Sequence, residues 1–394
     1  MNKTSCRLCN SSKLVKWLDL GFHPHSDQFR KDLDMPQETY PLSVMQCQAC
    51  GFVQLSYVVP PTILYTKDYL YESSITSTGD KHWTDFVEAV VNKTGISSGR
   101  VLDIGSNDGT LLLKFKKRGF EIQGVDPCPD ITSIAIARGV PTMVDFFGFN
   151  AIKNLPKVDI VTASNVFAHI DDLHDVIKNV LYILKKDGVF IFESPYFGEL
   201  LKGLEYDTIY HQHLSYLSLK PLVPFLAKYN LEIFDVDFSD IHGGSMRVYI
   251  NHKDCRSVSS TITKFIQAEN FSIDRLFEFA KKVIYHRLEL TKLITDIKLQ
   301  NKTIYAVSAP AKGMTLLNYT KIGHFIDCIT ERSKLKIGRF TPGFHIKIQP
   351  DEALIEKQPD YALLLAWNFA PEIIRRNKDY KGKWIVPLPK IQVL

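Results

Sequence analysis

Val101-Leu-Asp103-Ile-Gly105-Ser-Asn107-Asp-Gly109 carries the information on which the fold of this chain turns. Arg100-Val-Leu-Asp-Ile104 is an apolar run of strand length, and residues 111–118 begin a helical pattern. A glycine turn between a strand and a helix lets a ligand approach the backbone closely, because no Cβ stands in the way. The next strand, Phe120-Glu-Ile-Gln-Gly-Val125, runs into Asp126, whose carboxylate is well placed to accept two ribose hydroxyls. A dinucleotide site would want glycine where Asn107 stands, so this turn fits a pyrophosphate poorly. Asp103, just ahead of the first glycine, suits a positively charged, amino-acid-like ligand. Further strands at 158–163 and 189–193, alternating with helical stretches, point to a parallel α/β sheet.

Asp-x-Gly-x-x-x-Gly followed by an acidic strand end resembles the class I methyltransferases that use S-adenosylmethionine. The resemblance assigns Asp103, Gly105, Asn107, Gly109 and Asp126 to that cofactor. Asp145-Phe146-Phe147 falls where the adenine edge would lie, its other reading being a core aromatic pair after a loop. Asn165, in Asn165-Val-Phe-Ala-His169 past the fourth-strand end, is a further cofactor candidate.

Ahead of this stretch, Cys6-Arg-Leu-Cys9 and Cys47-Gln-Ala-Cys50 form two CxxC pairs. Two ligands three residues apart fit on one tight turn, and two such turns close a tetrahedron around zinc. The segment between the pairs exceeds the usual spacing, so a ribbon-like knuckle with an insertion is expected. Two disulfides fit poorly, since the chain shows no signal peptide or transmembrane run. A redox CxxC would follow a thioredoxin-like βαβ pattern, which is missing here. Four thiolates leave no open coordination position, so Zn2+ would support a fold and the chemistry would lie further on.

The 394 residues suffice for two or three domains, and 45% hydrophobic with 23% charged residues is an ordinary globular balance. No apolar run approaches a membrane span. The net charge of +5 is weak, and basic residues come only in short pairs such as Lys116-Lys117 and Arg375-Arg376. Neither nucleic acid nor membrane is therefore expected as a partner. Cys128, Cys255 and Cys328 are scattered and read as reduced core thiols, which suits a cytoplasmic protein.

Residues 1–75 carry the cysteines and little regular pattern. Residues 76–255 form the first α/β layer, 256–300 a helical linker, and 301–394 a second, smaller Rossmann-like layer with strands at 303–307, 361–365 and 384–387. Residues 272–299 read as one helix: Leu276, Val283, Leu290 and Ile297 recur every seven residues, with Phe279, Ala280, Leu293 and Ile294 between them. It reads as an amphipathic helix packing the two halves together. A dimer coiled coil is the alternative, which leaves monomer and homodimer both open.

Tyr206-Asp-Thr-Ile-Tyr210-His211-Gln212-His213-Leu-Ser-Tyr216 concentrates histidines and tyrosines in one short segment. Such groups serve as base and oxyanion donor when a pocket tunes them, although a structural histidine is the ordinary reading of either one alone. His169 and His242-Gly-Gly-Ser245 are further candidates, since ligands sit beyond the carboxyl ends of parallel strands.

The whole chain resembles the sugar C-methyltransferases that modify nucleotide-linked keto-deoxysugars. The likeness runs from the cysteine pairs through Asp68-Tyr69-Leu-Tyr71-Glu-Ser-Ser74, the cluster at 210–213, His242-Gly-Gly and Ala309-Pro-Ala-Lys312-Gly313. It ends in Gly338-Arg339-Phe-Thr-Pro-Gly343-Phe-His345 and Pro359-Asp-Tyr-Ala-Leu-Leu-Leu-Ala-Trp367-Asn368. It implies an α/β fold: a class I S-adenosylmethionine-dependent methyltransferase (Rossmann-like) domain, an N-terminal zinc-binding domain and a C-terminal Rossmann-like domain holding the sugar nucleotide. It also implies that Tyr71 closes on cofactor and sugar, that Tyr210 and His213 are the catalytic pair with Gln212 between them, and that His169 lines their pocket. His242, Lys312, Gly313 and Arg339 fall on the substrate side. Two departures are present: the family usually has Glu where Gln212 stands, and often Gly where Ser308 stands.

Joining carbon to a sulfonium methyl requires an enolate, which a ketone supplies when a base removes the neighbouring proton. Histidine, with a reference pKa of about 6.5, suits the base, and a tyrosine hydroxyl the oxyanion. His213 is assigned the first role and Tyr210 the second. Gln212 exchanges no proton near neutral pH and is left to orient a neighbour or bind a sugar hydroxyl. Lys312 is expected at the diphosphate, its other reading being a solvated lysine on a structural loop. The alternatives are an O-methyltransferase on the same scaffold, which the Gln212 departure favours, and a non-catalytic zinc-containing scaffold, which the intact Asp103, Gly105 and Asp126 oppose.

Overall fold

A computed structural model of the chain describes residues 1–34, 36–65, 77–239 and 243–394. Tyr71 and His242 lie outside the described residues, as does the rest of the segment 68–74.

Near the amino end are β1 (Leu14–His23), β2 (Tyr40–Cys47) and β3 (Val53–Leu55). β4 (Arg100–Ile104), β5 (Glu121–Asp126), β6 (Thr142–Val144), β7 (Val158–Ser164) and β8 (Leu184–Pro195) follow. Then come β9 (Ser215–Tyr216), β10 (Leu231–Ser239) and β11 (Ser245–His252). The last group is β12 (Ile304–Val307), β13 (Cys328–Glu331), β14 (Ile348–Pro350), β15 (Tyr361–Leu364), β16 (Lys383–Val386) and β17 (Gln392–Val393). They build three sheets, ordered β1-β2-β3-β9, β10-β11-β8-β7-β4-β5-β6 and β14-β13-β12-β15-β16-β17.

The middle sheet is parallel from β8 to β6, and β11 and β10 extend it antiparallel. Val101, Leu102, Ile160, Val161, Phe190 and Ile191 are fully buried, as expected of strands covered on both faces. Helices Thr110–Lys117 and Leu173–Ile183 follow β4 and β7, the second capped by the Asp172 side chain, which accepts from the Asp175 N–H at 2.9 Å.

The amino-terminal region is more regular than its sequence pattern suggests. β1 and β2 pair antiparallel, but with register shifts between Lys16 and Leu18 and between Asp19 and Phe22. Such bulges interrupt the alternation by which a strand is read. β9 closes the sheet by pairing Val53 with Tyr216 and Gln54 with Ser215. The histidine–tyrosine segment is thereby fastened to the cysteine-bearing region.

Helix Ile273–Leu299 buries Leu276, Phe279, Ala280, Val283, Leu290, Ile294 and Ile297, and packs on β1 and on helix Ala311–Thr320. It joins the amino-terminal and carboxyl-terminal sheets, the amphipathic role its heptads suggest. The buried His286 lies on the same face: its Nε2–H donates to the Pro387 carbonyl at 2.7 Å, so its Nδ1 accepts from the Tyr206 hydroxyl at 3.0 Å.

Candidate active site and zinc centre

Cys6, Cys9, Cys47 and Cys50 converge, with all four sulfurs within 4.8 Å of one another. Cys6 Sγ lies 3.6 Å from Cys50 Sγ, and Cys9 Sγ 3.5 Å from Cys47 Sγ. Zinc–sulfur bonds of about 2.3 Å put tetrahedral sulfurs roughly 3.8 Å apart, so the donor set fits Zn2+. The hydrogen bond with Cys50 pulls Cys6 down to about 5, the thiolate character that a cation takes up. Two CxxC turns, the second following β2, supply the ligands, and the centre is closed.

The cofactor cradle opens where β4 ends. Gly105 has φ +67°, and a Cβ there would lie 2.3 Å from Val166 Cγ2, so only glycine fits. Its N–H donates to the Val125 carbonyl at 2.8 Å, tying the turn to β5. Gly109, at φ +77°, starts helix Thr110–Lys117. Asp126 is buried at the end of β5; Oδ2 accepts from the Asn107 N–H and Oδ1 from the Cys128 N–H, both at 2.9 Å. Burial raises its pKa, and these two N–H groups oppose the rise. A carboxylate pinned this way keeps lone pairs for ribose hydroxyls. Asp103 instead points into the sheet: Oδ1 accepts from Thr162 Oγ1 at 2.6 Å, and burial pushes its carboxyl up to about 7. Asn165, at φ 57° beyond β7, has its buried Oδ1 without a partner among the described residues. Asp145 and Phe146 are exposed past β6, with the Tyr65 ring 6.4 Å from Phe146. These residues and donors fit S-adenosylmethionine.

A small cleft near the end of β8 is lined by Ala168, Ser194, Thr208, His213, Ser215 and Tyr216. The His213 ring sits 4.0 Å from Tyr210 and 5.2 Å from His169. His213 Nδ1 is 2.7 Å from the Thr208 carbonyl. A carbonyl only accepts, so the proton resides on Nδ1 and the lone pair on Nε2. Burial lowers His169 to about 4, which keeps it neutral. Ser194, Ser215 and Tyr216 also line the cleft, and their buried hydroxyls lack partners among the described residues. Nothing in the sequence marks Ser194; Ser215 lies within the histidine–tyrosine segment, and pairing of β9 with β3 positions it.

Residues 210–213 face two ways. His213 turns toward His169 and packs against Tyr210, whereas His211 and Gln212 turn toward the amino-terminal region. Gln212 Nε2 donates to Asp27 Oδ2 at 2.6 Å, and the fully buried His211 stacks edge-on against Tyr40. Lys312, at the start of helix Ala311–Thr320, contacts Asn368 Oδ1 and lies 4.1 Å above the Trp367 ring. Burial lowers its pKa, while Asp207 and Glu205 oppose that shift. Asp207 lies within the histidine–tyrosine segment and Glu205 immediately precedes it. Burial, then Asp207, raises Glu205 to about 8. Gly313 packs helix on strand, since a Cβ there would meet Leu365 Cβ at 2.7 Å. Arg339 donates to the Phe29 carbonyl at 3.3 Å, so that contact serves the amino-terminal region.

A parallel sheet with a left-handed glycine turn, a pinned acidic strand end and a crevice between the loops after β4 and β7 defines an S-adenosylmethionine-dependent methyltransferase of class I. Known families agree: a methyltransferase domain matches residues 77–236, a C-methyltransferase C-terminal domain 240–389 and a zinc binding domain 6–65. C-methyltransferase NovU of Streptomyces niveus is 32% identical over 405 residues, spanning 99% of this chain and 96% of that protein. The chain belongs to this C-methyltransferase family. Ubiquinone biosynthesis O-methyltransferase of Glaesserella parasuis is 27% identical over 110 residues, 25% of this chain and 47% of that protein. Among solved structures, the PH0226 protein of Pyrococcus horikoshii OT3 aligns with TM-score 0.38 and 20% identity over 50% of this chain and 97% of that one. Among the described residues no helix is long and apolar enough to cross a membrane.

Proposed function

We propose that this enzyme methylates a carbon next to a ketone in a nucleotide-linked keto-deoxysugar, through an enolate, to give a branched-chain sugar in the cytoplasm. The observation that carries the reading is the His213 tautomer: Nδ1–H bonded to the Thr208 carbonyl directs the basic Nε2 to act, with the Tyr210 ring stacked at 4.0 Å. His213 removes the α-proton, and the Tyr210 hydroxyl donates to the oxygen that gains charge. His169, held neutral beside them, offers a ring nitrogen as a hydrogen-bond partner without bringing charge to the cleft. The hydroxyls of Ser194, Ser215 and Tyr216 match the polar groups of a sugar. S-adenosylmethionine, when bound, supplies the electrophilic methyl. Residues 1–75 would act as a zinc-binding domain, 76–255 as the catalytic domain, 256–300 as the linker and 301–394 as the domain holding the nucleotide.

Gln212 acts as a positioning residue in this scheme, joining the catalytic segment to Asp27. An O-methyltransferase acting on a sugar hydroxyl is the second reading, because His213 Nε2 would serve that deprotonation equally. Incubation with S-adenosylmethionine and a panel of nucleotide keto-sugars, with product mass and carbon connectivity read by NMR, separates the two. A new carbon–methyl bond is expected; methylation of a substrate lacking any ketone would overturn the C-methylation reading.

A further inference from the structure

We propose that Arg7 is a positioning residue for the methyl transfer, tying the loop that carries His169 to the segment that carries His213. The proposal rests on the reading of His213 as the base with His169 beside it, and adds to that scheme a residue of the cysteine-bearing region. Arg7 lies inside the first CxxC turn, between Cys6 and Cys9, and its side chain is fully buried. Its Nε donates to Asp171 Oδ1 at 2.9 Å. Asp171 stands two residues past His169, between the 3-10 turn Phe167–His169 and helix Leu173–Ile183. On its other side, Arg7 Nη1 donates to the Leu55 carbonyl at 3.2 Å. The Leu55 N–H in turn donates to the Leu214 carbonyl at 2.9 Å, and Leu214 follows His213 directly. One guanidinium therefore spans the two segments whose histidine rings stand 5.2 Å apart.

The turn around Arg7 is anchored to the same strand. The Arg7 N–H donates to Gln54 Oε1 at 2.9 Å, and Gln54 Nε2 donates to the Ser5 carbonyl at 3.1 Å. Gln54 is fully buried and pairs with Ser215 across β3 and β9. Asp171 takes a second cation, the Lys3 ammonium at 2.9 Å, and the Lys3 N–H donates to the Ser56 carbonyl at 2.8 Å. Two cations of one short segment thus converge on a carboxylate two residues from His169. Docking alone would be served as well by an apolar side chain, since a buried charge pair adds little net stability. What the guanidinium adds is direction. Its donors lie in a fixed planar fork, whereas a lysine ammonium is a point charge that cannot keep both contacts. Reactions between held groups depend on placement, and a displacement of about 1 Å can cost about 10²-fold in rate.

Two variants of the full chain test this. Arg7→Lys keeps the charge and loses the span, and Asp171→Asn weakens the same brace without touching the CxxC turn. With a nucleotide keto-sugar that the wild-type enzyme methylates, each should lower kcat about ten-fold, with KM, S-adenosylhomocysteine affinity and zinc content unchanged. In a His169→Ala background the further loss should disappear, because the brace then has no ring to place. Without any substrate, the ring-nitrogen NMR signals of His169 and His213, assigned through His169→Ala and His213→Ala, should shift in both brace variants. Ring signals that stay in place, or an equal further loss of kcat in the His169→Ala background, overturn the Arg7 assignment and leave the base reading standing. A His213→Ala enzyme that still methylates overturns the base reading and this role with it.

Discussion

His213 and Gln212 are neighbours that face opposite ways, and the proposed scheme divides their work accordingly. His213 has its Nδ1–H fixed on the Thr208 carbonyl, so Nε2 is the basic atom, whereas Gln212 spends its amide on Asp27. If His213 forms an enolate, the enzyme should exchange a substrate α-hydrogen with deuterated water in the presence of S-adenosylhomocysteine. His213→Ala should abolish both exchange and methylation. Gln212→Ala should cost less than the roughly 10²–10⁴ in rate that base catalysis supplies. Equal damage from the two would remove this division of roles. At the cofactor, Asp126→Ala deletes a charged acceptor worth about 1.5–3 kcal/mol, which corresponds to about ten-fold or more in S-adenosylmethionine affinity by calorimetry.

Among the elements, the amino-terminal sheet depends on its metal and on uncharged histidines. Metal analysis should return one zinc per chain, and Cys9→Ala should reduce folding yield rather than alter the chemistry, because zinc binding contributes folding energy directly. His211, His23 and His25 are buried, and burial lowers all three, His211 to about 3 and His23 to about 4. Their folded pKa values lie below the unfolded value of about 6.5, so the unfolded chain binds more protons in the window between. Their stabilising contribution is present above pH 6.5 and is lost as pH falls toward 4. The melting temperature should fall across that window, and His211→Phe should flatten part of the slope. An unaltered slope in the variant would assign the acid loss elsewhere. Helix Ile273–Leu299 is held by packing: Leu290 is fully buried, and Leu290→Ala should lower stability by about 2–5 kcal/mol in denaturant unfolding.

Taken whole, the molecule brings three sheets to one seam. β9 fastens the histidine–tyrosine segment to the amino-terminal sheet, and Trp367 Nε1 donates to Asp207 Oδ2 at 2.7 Å from the carboxyl-terminal one. Lys312 stands at that second junction. Lys312→Ala should raise the KM for the sugar nucleotide while S-adenosylmethionine affinity stays constant; an unchanged KM would reduce Lys312 to a structural cation.

The features legible in the chain are those written in a few consecutive residues. The turn at Gly105, the acid at Asp126, the CxxC pairs and the heptads of the long helix each follow from local geometry: a positive φ, a strand end, a tight turn, a helical repeat. The bulged β1, and β13 and β14 with 4 and 3 residues, escaped because neither alternation nor length marks them. The opposed directions of Gln212 and His213, the carboxylates around Lys312 and the closure of the zinc-bearing sheet by β9 were decided only by the tertiary structure. Each joins residues far apart along the chain, as Gln212 with Asp27 and Tyr216 with Val53, and no local pattern encodes a pairing between distant segments.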